Sequence, residues 1–279
     1  MSAQGPQVTP SKKNLAIVVV PILLVLITFL FWYQTWFGRR LTDDDMAQYL
    51  ADTSVPHKTQ HALAQLAERV SRGDASARRW YPQVLALAAH REAEFRIMAA
   101  WVMGQDNKSE EFHSALGKLL ADADPMVRRN AALALVRFGD ASGRGELRAM
   151  LEPYSLRAPQ PGTIDFRLKE GDPVRSGTAV ARLHAGEEKP VDIASPVAGE
   201  LARRAVPEGA SVAAGDVVAI ISPGEDQAWE ALRALYLVGT AEELPAVEQS
   251  SRVAASERLR QQAAATAEAI RRRARKSFP

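Results

Sequence analysis

The chain is 279 residues long, 24% charged and 47% hydrophobic, which leaves room for about two ordinary domains and excludes both a wholly disordered chain and a polytopic membrane protein. Cysteine is absent and the only histidines are His57, His61, His90, His113 and His184, so disulfide frameworks, thiolate zinc sites, iron–sulfur clusters and cysteine nucleophiles are excluded. The net charge of +2 is uneven: residues 1–37 carry +2 and residues 252–279 carry +6, leaving −6 on residues 38–251, which is not the footprint of a nucleic-acid-binding domain.

Residues 15–37 read LAIVVVPILLVLITFLFWYQTWF, with no charge between Lys13 and Arg39. A helix of that length spans roughly 34 Å, enough for a bilayer core. Trp32, Tyr33 and Trp36 stand at one end, where an interfacial aromatic belt belongs. A cleaved signal peptide would need a small-x-small site after the apolar run, and FWYQTWFG is bulky. The expectation is an uncleaved transmembrane helix that meets membrane lipid through residues 15–37. Lys12 and Lys13 precede it and Arg39 and Arg40 follow it, so the positive-inside rule is nearly balanced. The short tail before the span resembles the start of a signal anchor. This implies a single-pass protein of the inner (cytoplasmic) membrane with its C-terminal bulk on the periplasmic side.

Residues 38–58 read as a linker. Asp43, Asp44 and Asp45 lack the alternating oxygens and distal Glu of a calcium loop, and instead predict a helix start after Thr42, with carboxylates at the positive end of the dipole. From residue 59 to residue 153 the apolar spacing is helical, with segments near 59–72, 76–89, 91–104, 109–121, 124–138 and 142–152. Short Ala/Leu-rich helices separated by tight breaks such as Gly73-Asp74 predict a solenoid.

The stretch LGKLLADADPMVRRNAALALVRFGD, ending at Asp140, closely resembles the HEAT repeat family and its phycobilisome-lyase-like relatives. The match rests on Leu119, Leu120, Asp122, Asp124, Pro125, Val127, Arg128, Ala131, Ala132, Leu135, Gly139 and Asp140. Pro125 suits the first turn of a helix, where its missing N–H costs nothing, and Gly139 is placed for the left-handed conformation that ends one. The resemblance implies that Arg128 and Asp122 hydrogen-bond between stacked repeats. A weaker copy precedes it in Phe95, Arg96, Ala99, Ala100, Trp101 and Gly104.

From residue 156 to residue 223 the texture becomes all-β, with regular Gly and Pro turns. This segment is internally duplicated. Pro159 and Gly162 recur 37 residues later as Pro196 and Gly199, and Gly171, Val174 and Gly177 recur 38 residues later as Gly209, Val212 and Gly215. The pattern closely resembles the biotinyl/lipoyl domain family, a flattened sandwich (barrel-sandwich hybrid) of two interlocked halves. In carriers of biotin or lipoate the hairpin between the halves presents a modified Lys. Here that position falls near Gly186 or Glu187, and Lys189 is displaced and followed by Pro190. The resemblance therefore implies an unmodified module, as in the membrane fusion (periplasmic adaptor) proteins of exporters, which also often begin with one membrane span. Those proteins normally carry a long coiled-coil hairpin between the halves, and residues 184–192 leave no space for one.

Helical spacing returns at 226–239, with Ala231 and Gly239 placed as Ala131 and Gly139 are. The β module therefore reads as an insertion between helix 142–152 and helix 226–239 of one repeat. A short helix from residue 242 and a terminal helix over 255–275 complete residues 226–276 as continued repeats and a cap. The basic run at 271–276 reads as a helix C-terminus complementing its dipole, with a lipid-facing strip as the rival reading. Trp101, Trp229 and Tyr236 read as core packing.

No GxSxG elbow, Walker-type phosphate loop or GxGxxG occurs. The expected fold is thus multidomain: a transmembrane helix, then a HEAT-like α-solenoid interrupted by a biotinyl/lipoyl-like sandwich. The expected function is a non-catalytic, membrane-anchored scaffold or assembly subunit that binds other protein subunits, without cofactor, metal or nucleic acid. The candidate interaction residues are Gly186, Glu187, Glu188 and Lys189 at the hairpin, and Arg128. An export-system adaptor is the first alternative, and a biotin or lipoate carrier the second.

Overall fold

The computed structural model describes residues 21–30, 40–186 and 189–276. The chain divides into two units, residues 1–48 and 49–279. In the first, residues 21–30 form a helix, α1, whose large apolar side chains are 48–67% exposed. Among the described residues no helix is long and apolar enough to cross a membrane. The expected span of 15–37 is therefore not shown: the described part of α1 rises only roughly 15 Å, half a bilayer core. Residues 15–20 and 31–37, with Trp32, Tyr33 and Trp36, lie outside the described residues.

Helix α2 (Asp43–Ala51) lies within the expected linker. Thr42 starts it: its Oγ1 accepts from the Asp45 N–H at 3.1 Å while its own N–H donates to Asp45 Oδ2 at 3.2 Å, the reciprocal arrangement of a capping box.

The second unit begins with helices α3 (Pro56–Ser71), α4 (Tyr81–Leu87), α5 (Ala93–Met103), α6 (Glu110–Leu119), α7 (Pro125–Arg137) and α8 (Arg144–Ala149). After eight strands come α9 (Glu225–Val238), α10 (Leu244–Val253) and α11 (Glu257–Lys276). The protein is therefore mixed α and β. The helix expected over 76–89 is split into a 3-10 turn (Ala75–Trp80) and α4. Pro82 explains the split, because it lacks the N–H that would continue the ladder. Asp124 caps α7 by accepting from the Met126 and Val127 N–H groups, with Pro125 in the first turn.

Helices α3, α5, α7, α9 and α11 pack side by side in succession, and each of α4, α6, α8 and α10 packs on the helix that follows it. Phe95 and Phe112 are fully buried in this stack; truncating either to Ala is expected to cost about 3–5 kcal/mol. Gly139 has φ +73°, the left-handed helix end. Gly104 does not: a Cβ there would lie 2.9 Å from the Ala134 Cβ, so its role is close approach of α5 to α7. One core joins Leu147 of α8 and Met150 at its C-terminal end to Ala231, Leu232 and Leu235 of α9 and to Ile270 of α11. Helices α8 and α9 thus pack as neighbours although the strands lie between them in sequence.

The strands are β1 (Tyr154–Arg157), β2 (Gly162–Phe166), β3 (Pro173–Val174), β4 (Ala179–His184), β5 (Val191–Ala194), β6 (Gly199–Arg204), β7 (Ser211–Val212) and β8 (Val217–Pro223). They form two four-stranded antiparallel sheets, ordered β1-β8-β6-β3 and β5-β4-β2-β7. Exchanging β1–β4 for β5–β8 turns one order into the other, so the duplication is a structural twofold. Individual bonds repeat: Gly177 N–H donates to Ser195 O, and Gly215 N–H to Ala158 O, both at 2.8 Å. Leu156, Ile164, Leu183, Leu201 and Ile221 fill the core between the sheets. A Cβ on Gly199 would collide with the Ser222 carbonyl oxygen, so only Gly lets β6 lie this close to β8.

Candidate functional site

The hairpin tip joins β4 to β5, where Leu183 pairs with Val191 and Arg182 with Asp192. Gly186, at φ +58°, makes the turn, and Lys189 is exposed. Glu187 and Glu188 lie outside the described residues. Behind the tip, Arg182 Nε sits 2.7 Å from Asp192 Oδ1. That hydrogen bond holds the Asp192 carboxyl below the usual range and raises the guanidinium.

Arg128 points into the stack rather than at a partner. Its Nη1 donates to the carbonyls of Asp122 (2.8 Å) and Ala123 (3.1 Å), and its Nε to Glu146 at 2.9 Å. Arg96 repeats this. Its Nη1 reaches the carbonyls of His90 and Arg91 at 2.8 and 2.9 Å, and its Nε and Nη2 grip Asp122 at 2.7 and 2.8 Å. Arg260 does so again on Ala254 and Ala255 at 2.9 and 3.4 Å. Each is the fourth residue of its helix and gathers the carbonyls of the turn before it. Helix termini leave such carbonyls without partners, and a planar guanidinium with five donors suits several at once. The recurrence of Arg at this position was the signal in the sequence.

Helix α9 carries Ala228 at that position, because the strands replace the short turn it would have gathered. Gln227 takes over: its Nε2 donates to the Met150 carbonyl at the end of α8 (3.2 Å), and its Oε1 accepts from Arg129 Nη1 (2.7 Å). Arg129 is 3% exposed and also lies 3.5 Å from Glu146. Burial pushes its guanidinium pKa down.

His113 Nε2 lies 2.7 Å from Asp140 Oδ2, and its ring stacks on Phe138. Asp140 also accepts from the Ser142 N–H at 2.7 Å, which is the main reason its carboxyl is held low. The preceding repeat has Tyr81 Oη donating to Asp106 at 2.8 Å and the Lys108 N–H donating to the same carboxylate at 3.1 Å. Burial, and then Asp106, push the Tyr81 pKa up to about 12. In both repeats an aromatic side chain of a helix thus meets a loop aspartate that also accepts a backbone N–H.

An open cleft also lies on the helical stack. Helices α5, α7 and α9 line a cleft of about 300 Å³, whose apolar walls include Trp101, Leu133, Ala134 and Leu237. Trp101 is 42% and Leu237 61% exposed. The expected core packing of Trp101 is therefore corrected, because its helix turns it outward onto the cleft. Tyr236 is also exposed. Trp229 packs partly buried against the core, with Arg258 lying 4.0 Å over its ring. Arg137, Glu230 and Arg233 stand at the rim of the cleft.

Among known proteins, residues 81–158 match the family model for HEAT repeats. That stretch takes in α4 through α8 and ends just past β1. No curated protein matches the chain.

Proposed function

We propose that the protein is a non-catalytic scaffold that binds other protein subunits on the exposed face of stacked HEAT-like helix pairs. The observation that carries this reading is the open cleft with exposed Trp101 and Leu237. Apolar aromatic surface left uncovered on a rigid stack is the form of an interaction site. Arg128, one of the candidate contacts, is consumed within the stack. Under the same reading, residues 15–37 anchor the chain in the inner membrane with the bulk on the periplasmic side. The sandwich between α8 and α9 is an unmodified biotinyl/lipoyl-like insertion, and its tip at 186–189 serves as a second contact.

Purification of the full chain in mild detergent tests this. Stoichiometric partners should accompany the wild type and fall away from a Trp101→Ala/Leu237→Ala variant. A chain that runs alone under every gentle extraction overturns the scaffold reading.

The twofold arrangement of the two sheets also favours an adaptor subunit of an export system. That reading expects a transporter among the co-purifying partners.

A further inference from the structure

We infer that the cleft over α5, α7 and α9 receives an acidic amphipathic segment of a partner protein. This rests on the scaffold reading and specifies the occupant of its site. The cleft is lined by apolar side chains together with Gln105 and Asn130, and carries two cations, Arg137 from α7 and Arg233 from α9. Both are exposed, and neither has an ion-pair partner among the described residues. Glu230 is the one carboxylate of the lining, so the rim carries a net positive charge. The surrounding body does not: residues 38–251 sum to −6.

Arg96, Arg128 and Arg273, by contrast, are engaged by backbone carbonyls. Arg233 lies mid-helix, where the dipole of its own helix offers it nothing. An incoming carboxylate would give Arg137 and Arg233 the planar, charge-assisted partner that guanidinium favours. Leu or Phe side chains on the same segment would cover Trp101 and Leu237. A basic segment would meet repulsion at the same rim. At about 300 Å³ the cleft is at the bottom of the range for small-molecule sites, and it suits a few peptide side chains.

The test uses the full chain in detergent and two fluorescent helical peptides of equal length, one of Glu and Leu, the other of Lys and Leu. The Glu/Leu peptide is expected to bind more than about tenfold tighter, and Trp101→Ala to weaken it by a similar factor. An R137E/R233E variant should reverse the preference. Equal binding of both peptides, or an unchanged preference in the charge-reversed chain, overturns the inference. So does self-association in sedimentation that Trp101→Ala abolishes, because it makes a second copy the occupant. If peptides fail while stoichiometric partners still co-purify, the acidic occupant is wrong and the scaffold reading stands. Loss of all partners sinks the scaffold reading itself.

Discussion

Arg129 Nη1 donates to Gln227 Oε1 across 2.7 Å, although 98 positions separate the two residues in sequence. The same Gln227 holds the Met150 carbonyl, just past the end of α8, through its Nε2. One side chain thus joins the two helices that flank the sandwich and neutralises part of the burial cost of a cation that is 3% exposed. Replacing Gln227 with Ala should lower unfolding stability by about 1–3 kcal/mol, because it orphans a buried donor and a helix-end carbonyl together. Urea denaturation checks this, and a double-mutant cycle with Arg129→Met should show strong non-additivity.

Arg96 should resist conservative replacement. Arg96→Lys keeps the charge, but a single ammonium cannot serve two carbonyls and both oxygens of Asp122 in one plane. A loss of about 1–2 kcal/mol is expected, with Arg128→Lys behaving alike. A measured loss equal to that of Lys substitutions at exposed Arg72 would remove the structural role assigned to this position.

Acid should weaken the helical stack. Asp122 is held low mainly by Arg96, Asp140 mainly by the Ser142 N–H, and Asp74 is lowered to about 2 mainly by Ser76. A carboxyl whose folded pKa is depressed stabilises the fold above the unfolded value of about 3.9 and loses that contribution as pH falls through the folded value. The urea midpoint should therefore drop between pH of about 4 and about 2. Asp122→Asn should be less stable at neutral pH and show a shallower acid slope.

Two glycines should separate crowding from backbone strain. Gly199→Ala places a Cβ against the Ser222 carbonyl oxygen and should cost the sandwich more than about 2 kcal/mol. Gly171→Ala meets no atom but keeps φ +89°, and should cost about 1–2 kcal/mol. Thermal unfolding of the two variants compares them directly.

Lys189 should be chemically silent. Intact mass of the purified chain is expected to lack any biotinyl or lipoyl adduct. An adduct that disappears in Lys189→Arg would restore the carrier alternative.

Much of the helical and strand order was legible because its signals are local. Apolar spacing marked the helices, Thr42 and Pro125 marked two of their starts, and the Gly repeats at 37 and 38 residues marked the two halves of the sandwich. The split before α4 was missed because one Pro82 changes hydrogen-bond geometry without interrupting the apolar pattern. Trp101 was misplaced for a related reason. Its spacing puts it on a helix face, but spacing does not say whether a neighbouring helix covers that face. Arg128 was read as a contact residue, yet its partners lie within the stack: the carbonyls of Asp122 and Ala123 and the carboxylate of Glu146.

By itself, the sequence determined where the backbone turns, which residues seek burial, and that one module is written twice within another. Those are properties of single residues and of short periods. The expected insertion between helices 142–152 and 226–239 agrees with the packing of α8 on α9. Only the tertiary structure decided that Gln227 replaces the missing arginine there, and that three helices leave Trp101 and Leu237 uncovered between two cations. Each of these depends on which surfaces meet across long stretches of chain, and contact at a distance leaves no pattern in local spacing.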